Sequence, residues 1–132
     1  MAKALVETRG LKKYFDTPRG LLHAVDDVNL TINYGETLGV VGESGCGKSV
    51  TSMSLMQLVQ RPTGQTVAGE MRLNLGDKAY DVAQMPIEAM QKIRGNVVSM
   101  IFQEPMTSLN PVFRIGFQLD EVISLHNPKM KR

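Results

Sequence analysis

Gly42-Glu43-Ser44-Gly45-Cys46-Gly47-Lys48-Ser49 spells G-x-x-x-x-G-K-[ST], the spacing of a loop that cradles phosphate. Phosphate oxygens crowd several negative charges together, so their pocket needs many inward donors and few side chains. Glycine supplies the positive φ that lets successive N–H groups face one concavity. A helix start behind the loop adds unpaired donors and the positive end of its dipole. Lys48 brings a mobile charge for the outer phosphates, and the Ser49 hydroxyl is placed to ligate Mg²⁺. At the chain's own residue frequencies the four fixed positions would coincide by chance in about 0.7% of such chains.

The flanks agree with this reading. Thr37-Leu38-Gly39-Val40-Val41 has the composition of a short buried strand. Val50, Met53, Met56 and Val59 recur near helical spacing until Arg61-Pro62-Thr63-Gly64 ends the run. Upstream, Ala4 to Leu11 and His23 to Ile32 alternate as strands around a turn at Asp16-Thr17-Pro18-Arg19-Gly20, and Asn33-Tyr34-Gly35-Glu36 turns the chain again. Downstream, Thr66 to Leu75 predicts a strand closed by Gly76-Asp77, and Pro86 to Arg94 predicts a helix with proline at its first position. Asn96 to Gln103 predicts a core strand, Glu104 to Pro111 a loop, and Ile115 to His126 a helix.

With 132 residues, 42% of them hydrophobic, the chain makes at most one domain with a modest core. A net charge of +2 is too small to argue for nucleic acid. The basic run Lys129-Met130-Lys131-Arg132 reads as a terminus rather than a binding arm. No uncharged apolar run approaches the roughly 20 residues of a membrane helix, and the first residues lack a signal-peptide core. The single cysteine fits a reducing cytoplasm. The two histidines, His23 and His126, have no companions at metal-ligand spacing and read as bystanders.

Several stretches together resemble the ATP-binding subunit of ABC transporters, within it the oligopeptide and dipeptide importer group. They are Leu11-Lys12-Lys13-Tyr14-Phe15 with Thr17-Pro18-Arg19-Gly20, then Gly35 to Gly45, then Ile93-Arg94-Gly95, and finally Met100-Ile101-Phe102-Gln103-Glu104-Pro105-Met106-Thr107-Ser108-Leu109-Asn110-Pro111. The resemblance implies an α/β P-loop NTPase fold, with an N-terminal antiparallel β subdomain and an incomplete RecA-like core. It implies ATP and Mg²⁺ as cofactors. The nucleotide-contacting set it implies is Tyr14, Gly42, Glu43, Ser44, Gly45, Cys46, Gly47, Lys48, Ser49, Val50 and Gln103, with Ser49 and Gln103 on the metal. Tyr14 takes the place of the aromatic that stacks on adenine, although strands favour tyrosine anyway. Gln103 takes the Q-loop position, although as sequence alone it is a solvated strand-end amide. The proline-containing loop after it suits a lever facing the membrane subunits. Cys46 is either a small filler or a thiol whose alkylation ATP would prevent.

Other expected parts do not occur in these 132 residues. No buried strand after the loop ends in an acid, there is no Leu-Ser-Gly-Gly-Gln signature, and no histidine switch follows one. Residues 1–132 therefore read as the N-terminal part of a nucleotide-binding domain, cut before the signature and the Walker B strand. Such a piece is expected to bind nucleotide phosphate, to be inactive in hydrolysis alone, and to expose surface prone to self-association. The partners implied are a second nucleotide-binding subunit, integral membrane permease subunits and, indirectly, a solute-binding protein. The implied location is the inner face of the cytoplasmic membrane. Two alternatives stay open: a short non-hydrolytic regulatory module, and another P-loop NTPase or kinase. The absence of an Asn-Lys-x-Asp or Thr-Lys-x-Asp motif weighs against a GTPase.

Overall fold

Ala4–Thr17 forms the first strand, β1, and its burial pattern explains the sheet's shape. Val6 and Thr8 face inward, then the parity changes and Leu11 and Lys13 face inward instead. One extra residue around Gly10 makes that switch. Against both neighbouring strands the register shifts between Arg9 or Thr8 and Leu11 or Lys12, as a bulge requires. Gly10 has φ 56° and donates its N–H to Asn29 Oδ1 at 2.8 Å. Facing it, Gly69 has φ 90°, and a Cβ there would run into the Gly10 carbonyl. Only glycine fits where the two backbones come this close.

The computed structural model describes residues 3–59 and 64–130. The chain divides into two compact units, Met1–Lys92 and Ile93–Arg132. In the first unit, β2 (Gly20–Asn33), β3 (Gly64–Leu75) and β4 (Lys78–Asp81) join β1 in an antiparallel sheet of order β2-β1-β3-β4. Pro18 and Arg19 make the β1–β2 turn, fastened by Thr17 Oγ1, which donates to the Gly20 carbonyl at 2.6 Å. Gly76 and Asp77 close the β3–β4 hairpin, so the turn expected there is present. The short strand after it was not expected, because Lys78-Ala79-Tyr80-Asp81 carries little apolar signal.

The core lies against this sheet. Val6, Leu11, Val25, Met71 and Leu73 from the strands are buried, as are Met56, Val82, Met85 and Met90. Buried polar groups are satisfied: Thr8 Oγ1 bridges the backbone of Val28 and Leu30 at 3.1 Å each, and Lys13 Nζ donates to Thr66 Oγ1 at 3.0 Å. Helix α1 (Lys48–Leu55) follows the glycine-rich loop. It ends short of Val59 because Gln57 turns to φ 51° and its amide donates to the carbonyls of Val82 and Met85, both at 2.7 Å. The expected stop at Arg61-Pro62-Thr63 lies outside the described residues. Helix α2 (Ile87–Ile93) starts directly after Pro86, with Glu88 in its first turn and Lys92 in its last, as the dipole favours.

The second unit holds a 3-10 turn at Pro105–Thr107 and helix α3 (Ile115–His126), whose bounds match those expected. Gln118 ties the preceding loop to this helix. It accepts from Asn110 N at 2.8 Å and donates to the carbonyls of Asn110 and Phe113, both at 2.9 Å. His126 Nδ1 lies 3.2 Å from Asn96 Oδ1.

Two expected strands are corrected. Thr37 to Val41 pairs with nothing and Val41 is 93% exposed; Val97 to Phe102 makes only a single bridge, Arg94 with Val98, and Ile101 is fully exposed. Apolar composition marks a segment for burial, but a strand also needs a neighbour for its N–H and C=O groups. Among the described residues Thr37 to Val41 has none, and Val97 to Phe102 has only that bridge. Val97 and Val98 instead donate to the Ile93 carbonyl, and Gly95 donates to Val98.

Candidate nucleotide site

The loop sequence breaks local helix rules in a way that serves an anion. Gly47 caps α1 in the left-handed region, φ 93° and ψ 5°, without a side-chain cap, and no acid stands in the first turn. Lys48 opens the helix, where its charge opposes the dipole. A helix start that has a cation in place of a capping side chain or acid keeps its donors for a ligand from outside.

Lys48 itself is held over the loop. Its Nζ donates to the carbonyls of Gly42 at 2.6 Å and Glu43 at 2.7 Å, and lies 3.4 Å from Cys46 Sγ. These partners are dipoles, none a carboxylate, so the positive charge is oriented without being cancelled. A Cβ on Gly42 would come within 2.6 Å of Cys46 Sγ, and a Cβ on Gly47 would strike the Ala24 carbonyl of β2. The loop is thus wrapped around its own cation on one side and pressed against the sheet on the other. Farther along α1, Thr51, Ser52 and Ser54 turn their hydroxyls back onto the carbonyls of Gly47, Lys48 and Val50. Ser49 is exposed at the first turn. The donor set, an ammonium, uncapped amides and one exposed hydroxyl, fits a Mg²⁺-bound polyphosphate.

Tyr14 stands on the same unit, and the structure gives it company that the sequence reading missed. His23 lies opposite it in the hairpin and stacks on its ring, with centroids 3.8 Å apart and planes 5° from parallel. Tyr14 donates its hydroxyl to Asp26 Oδ1 at 2.9 Å. That hydrogen bond, with some desolvation and the charge of Asp26, raises the phenol's pKa above its ordinary value. Asp26 also lies 3.7 Å from Lys12 Nζ and 3.9 Å from His23 Nδ1. The signal that finds His23 is the turn. A two-residue link at Pro18-Arg19 pairs Thr17 with Gly20, and counting back pairs Tyr14 with His23. Gln103 belongs to the second unit, exposed at a bend just before the 3-10 turn.

The ABC transporter family model matches residues 25–124, which includes the whole loop. The chain belongs to the ABC transporter family. Its α/β P-loop class and its N-terminal antiparallel sheet follow from that membership and from the strands described above. Among its relatives are an oligopeptide transport ATP-binding protein of Bacillus subtilis, 48% identical over 128 residues, and two others so named, from Haemophilus influenzae at 44% over 122 residues and Salmonella typhimurium at 43% over 130. These alignments cover 97%, 92% and 98% of this ABC-family chain. The chain spans only 38%, 36% and 37% of the respective relatives' lengths. Among the described residues no helix is long and apolar enough to cross a membrane.

Proposed function

We propose that this chain is the ATP-binding front part of an ABC importer's ATPase subunit, serving uptake of peptides or of small solutes such as nickel. The observation that carries the proposal is Lys48, an ammonium held by the Gly42 and Glu43 carbonyls at the mouth of an uncapped helix. The names of the relatives, each an oligopeptide transport ATP-binding protein, support the solute class. In this reading the backbone of Gly42 to Ser49 receives the phosphates, Val50 carries the helix onward, and Tyr14 takes the base. Ser49 would hold Mg²⁺, which would neutralise charge on the phosphates, and Gln103 is a metal ligand by the family resemblance alone. In this reading the chain's own task is to bind nucleotide phosphate, and ATP hydrolysis coupled to transport is the work of the whole ATPase subunit. Its partners there would be a second nucleotide-binding subunit and the permease, which would hold it at the cytoplasmic face of the membrane, with a solute-binding protein acting on the other side.

Calorimetric titration with Mg-ATP tests the site. Lys48→Ala should weaken binding at least tenfold, since a charge-assisted contact to phosphate is worth about 1.5–3 kcal/mol. Tyr14→Ala should weaken it by a smaller factor. Unchanged affinity in both variants would remove the site assignment.

A further inference from the structure

The Tyr14–His23 pair carries a role that the loop does not. A tyrosine ring offers two faces. His23 occupies one of them at 3.8 Å and within 5° of parallel, so a planar ligand could stack only on the other. The orientation is fixed twice over, by the stack and by the hydroxyl's hydrogen bond to Asp26, whose carboxylate also lies near Lys12 and His23. Strand β2 joins this pair to the phosphate loop directly. The residue after His23 is Ala24, whose carbonyl packs against Gly47. One strand therefore sets both the ring pair and the loop's last glycine.

We propose that His23 is the positioning residue of a base platform: it backs Tyr14 so that a purine nucleotide completes a three-layer stack of base, Tyr14 and His23. This rests on the reading that Tyr14 receives the base. A ring already held in place loses less freedom when a ligand stacks on it, so the gain comes from pre-organisation rather than from contact between His23 and the nucleotide. The opposite arrangement, with His23 lying on the face the base needs, would make it a competitor.

Titrations followed by the amide resonances of β1, β2 and the loop, carried into the millimolar range of ligand, separate these cases. In the expected result His23→Ala weakens Mg-ATP binding about 2- to 10-fold, the range of an aromatic pair. It leaves magnesium tripolyphosphate, which has no base, unchanged, and His23→Phe restores ATP affinity. Tighter or unchanged ATP binding in His23→Ala overturns the proposal, as does an equal loss for tripolyphosphate, which would mark a disturbed loop instead. Undiminished ATP binding in Tyr14→Ala overturns the base-site reading itself, and this inference with it.

Discussion

Replacing Gly47 by alanine should cost far more than the same change two residues earlier at Gly45. Both glycines have positive φ, 93° and 78°, so each alanine is forced into a region that L-residues avoid at about 1–2 kcal/mol. Around Gly45 nothing lies within 4 Å of the added Cβ, and the conformational term is the whole cost. At Gly47 the new carbon meets the Ala24 carbonyl, a backbone atom of β2 between the paired residues His23 and Val25. Overpacking of that kind adds about 1–3 kcal/mol, for a total of about 2–5 kcal/mol. Urea unfolding reads the difference as a lower midpoint at unchanged slope. The same Gly47→Ala chain should also lose Mg-ATP affinity, because relieving the collision moves the start of α1 off the sheet. Equal midpoints for Gly45→Ala and Gly47→Ala would refute the claim that contact with β2 positions the loop.

Other consequences can be checked as directly. Asp26→Asn should lower the Tyr14 pKa toward the ordinary 10.0, read by ultraviolet titration of the phenol, since the carboxylate's hydrogen bond is the main cause of the upward shift. Because that pKa is raised on folding, its stabilising contribution is present below the ordinary value and fades as pH climbs through the folded one; in Asp26→Asn the alkaline loss should shrink. Tyr34→Phe removes a hydroxyl that donates to the Asn74 carbonyl at 2.5 Å and accepts from Gly76 N at 3.1 Å, so unfolding free energy should fall by about 1 kcal/mol. Gln118→Ala should speed hydrogen exchange at the Asn110 amide, whose acceptor is the Gln118 side chain.

The sequence made some of this architecture readable because local chemistry and final environment agree. Pro18-Arg19-Gly20 favours a turn, so the first hairpin follows, and Ile115 to His126 has no proline and its one glycine, Gly116, stands in the first turn. Lys78-Ala79-Tyr80-Asp81 was not readable, since a short edge strand is recruited by its neighbour β3 and not by its own residues. Thr37 to Val41 and Val97 to Phe102 fail for the complementary reason: their side chains favour burial, but pairing is a property of two segments and composition reports on one. At the site, the loop is legible from its spacing, whereas His23 has no companion at metal-ligand spacing and its sequence neighbours carry no other signal. Its neighbour across the hairpin, Tyr14, gives it a place.

The extra residue at Gly10 links that ring pair to the hydrophobic core in a further way. Were Gly10 paired as a regular strand residue instead of bulged, the alternation begun by Val6 and Thr8 would carry Tyr14 to the inner face of β1 and turn Lys13 outward. Deleting Gly10 would restore strict alternation with Thr8, Leu11 and Lys13 still on the inner face and Tyr14 still on the outer one, so the bulge holds one residue that the faces of the strand do not need. In this hairpin a one-residue length difference should be accommodated at the bulge, and elsewhere in β1 length should change two residues at a time. A gap of one at Gly10 in a homologous chain should therefore leave Tyr14 on its own face, whereas a gap of one between Leu11 and Tyr14 would turn it inward.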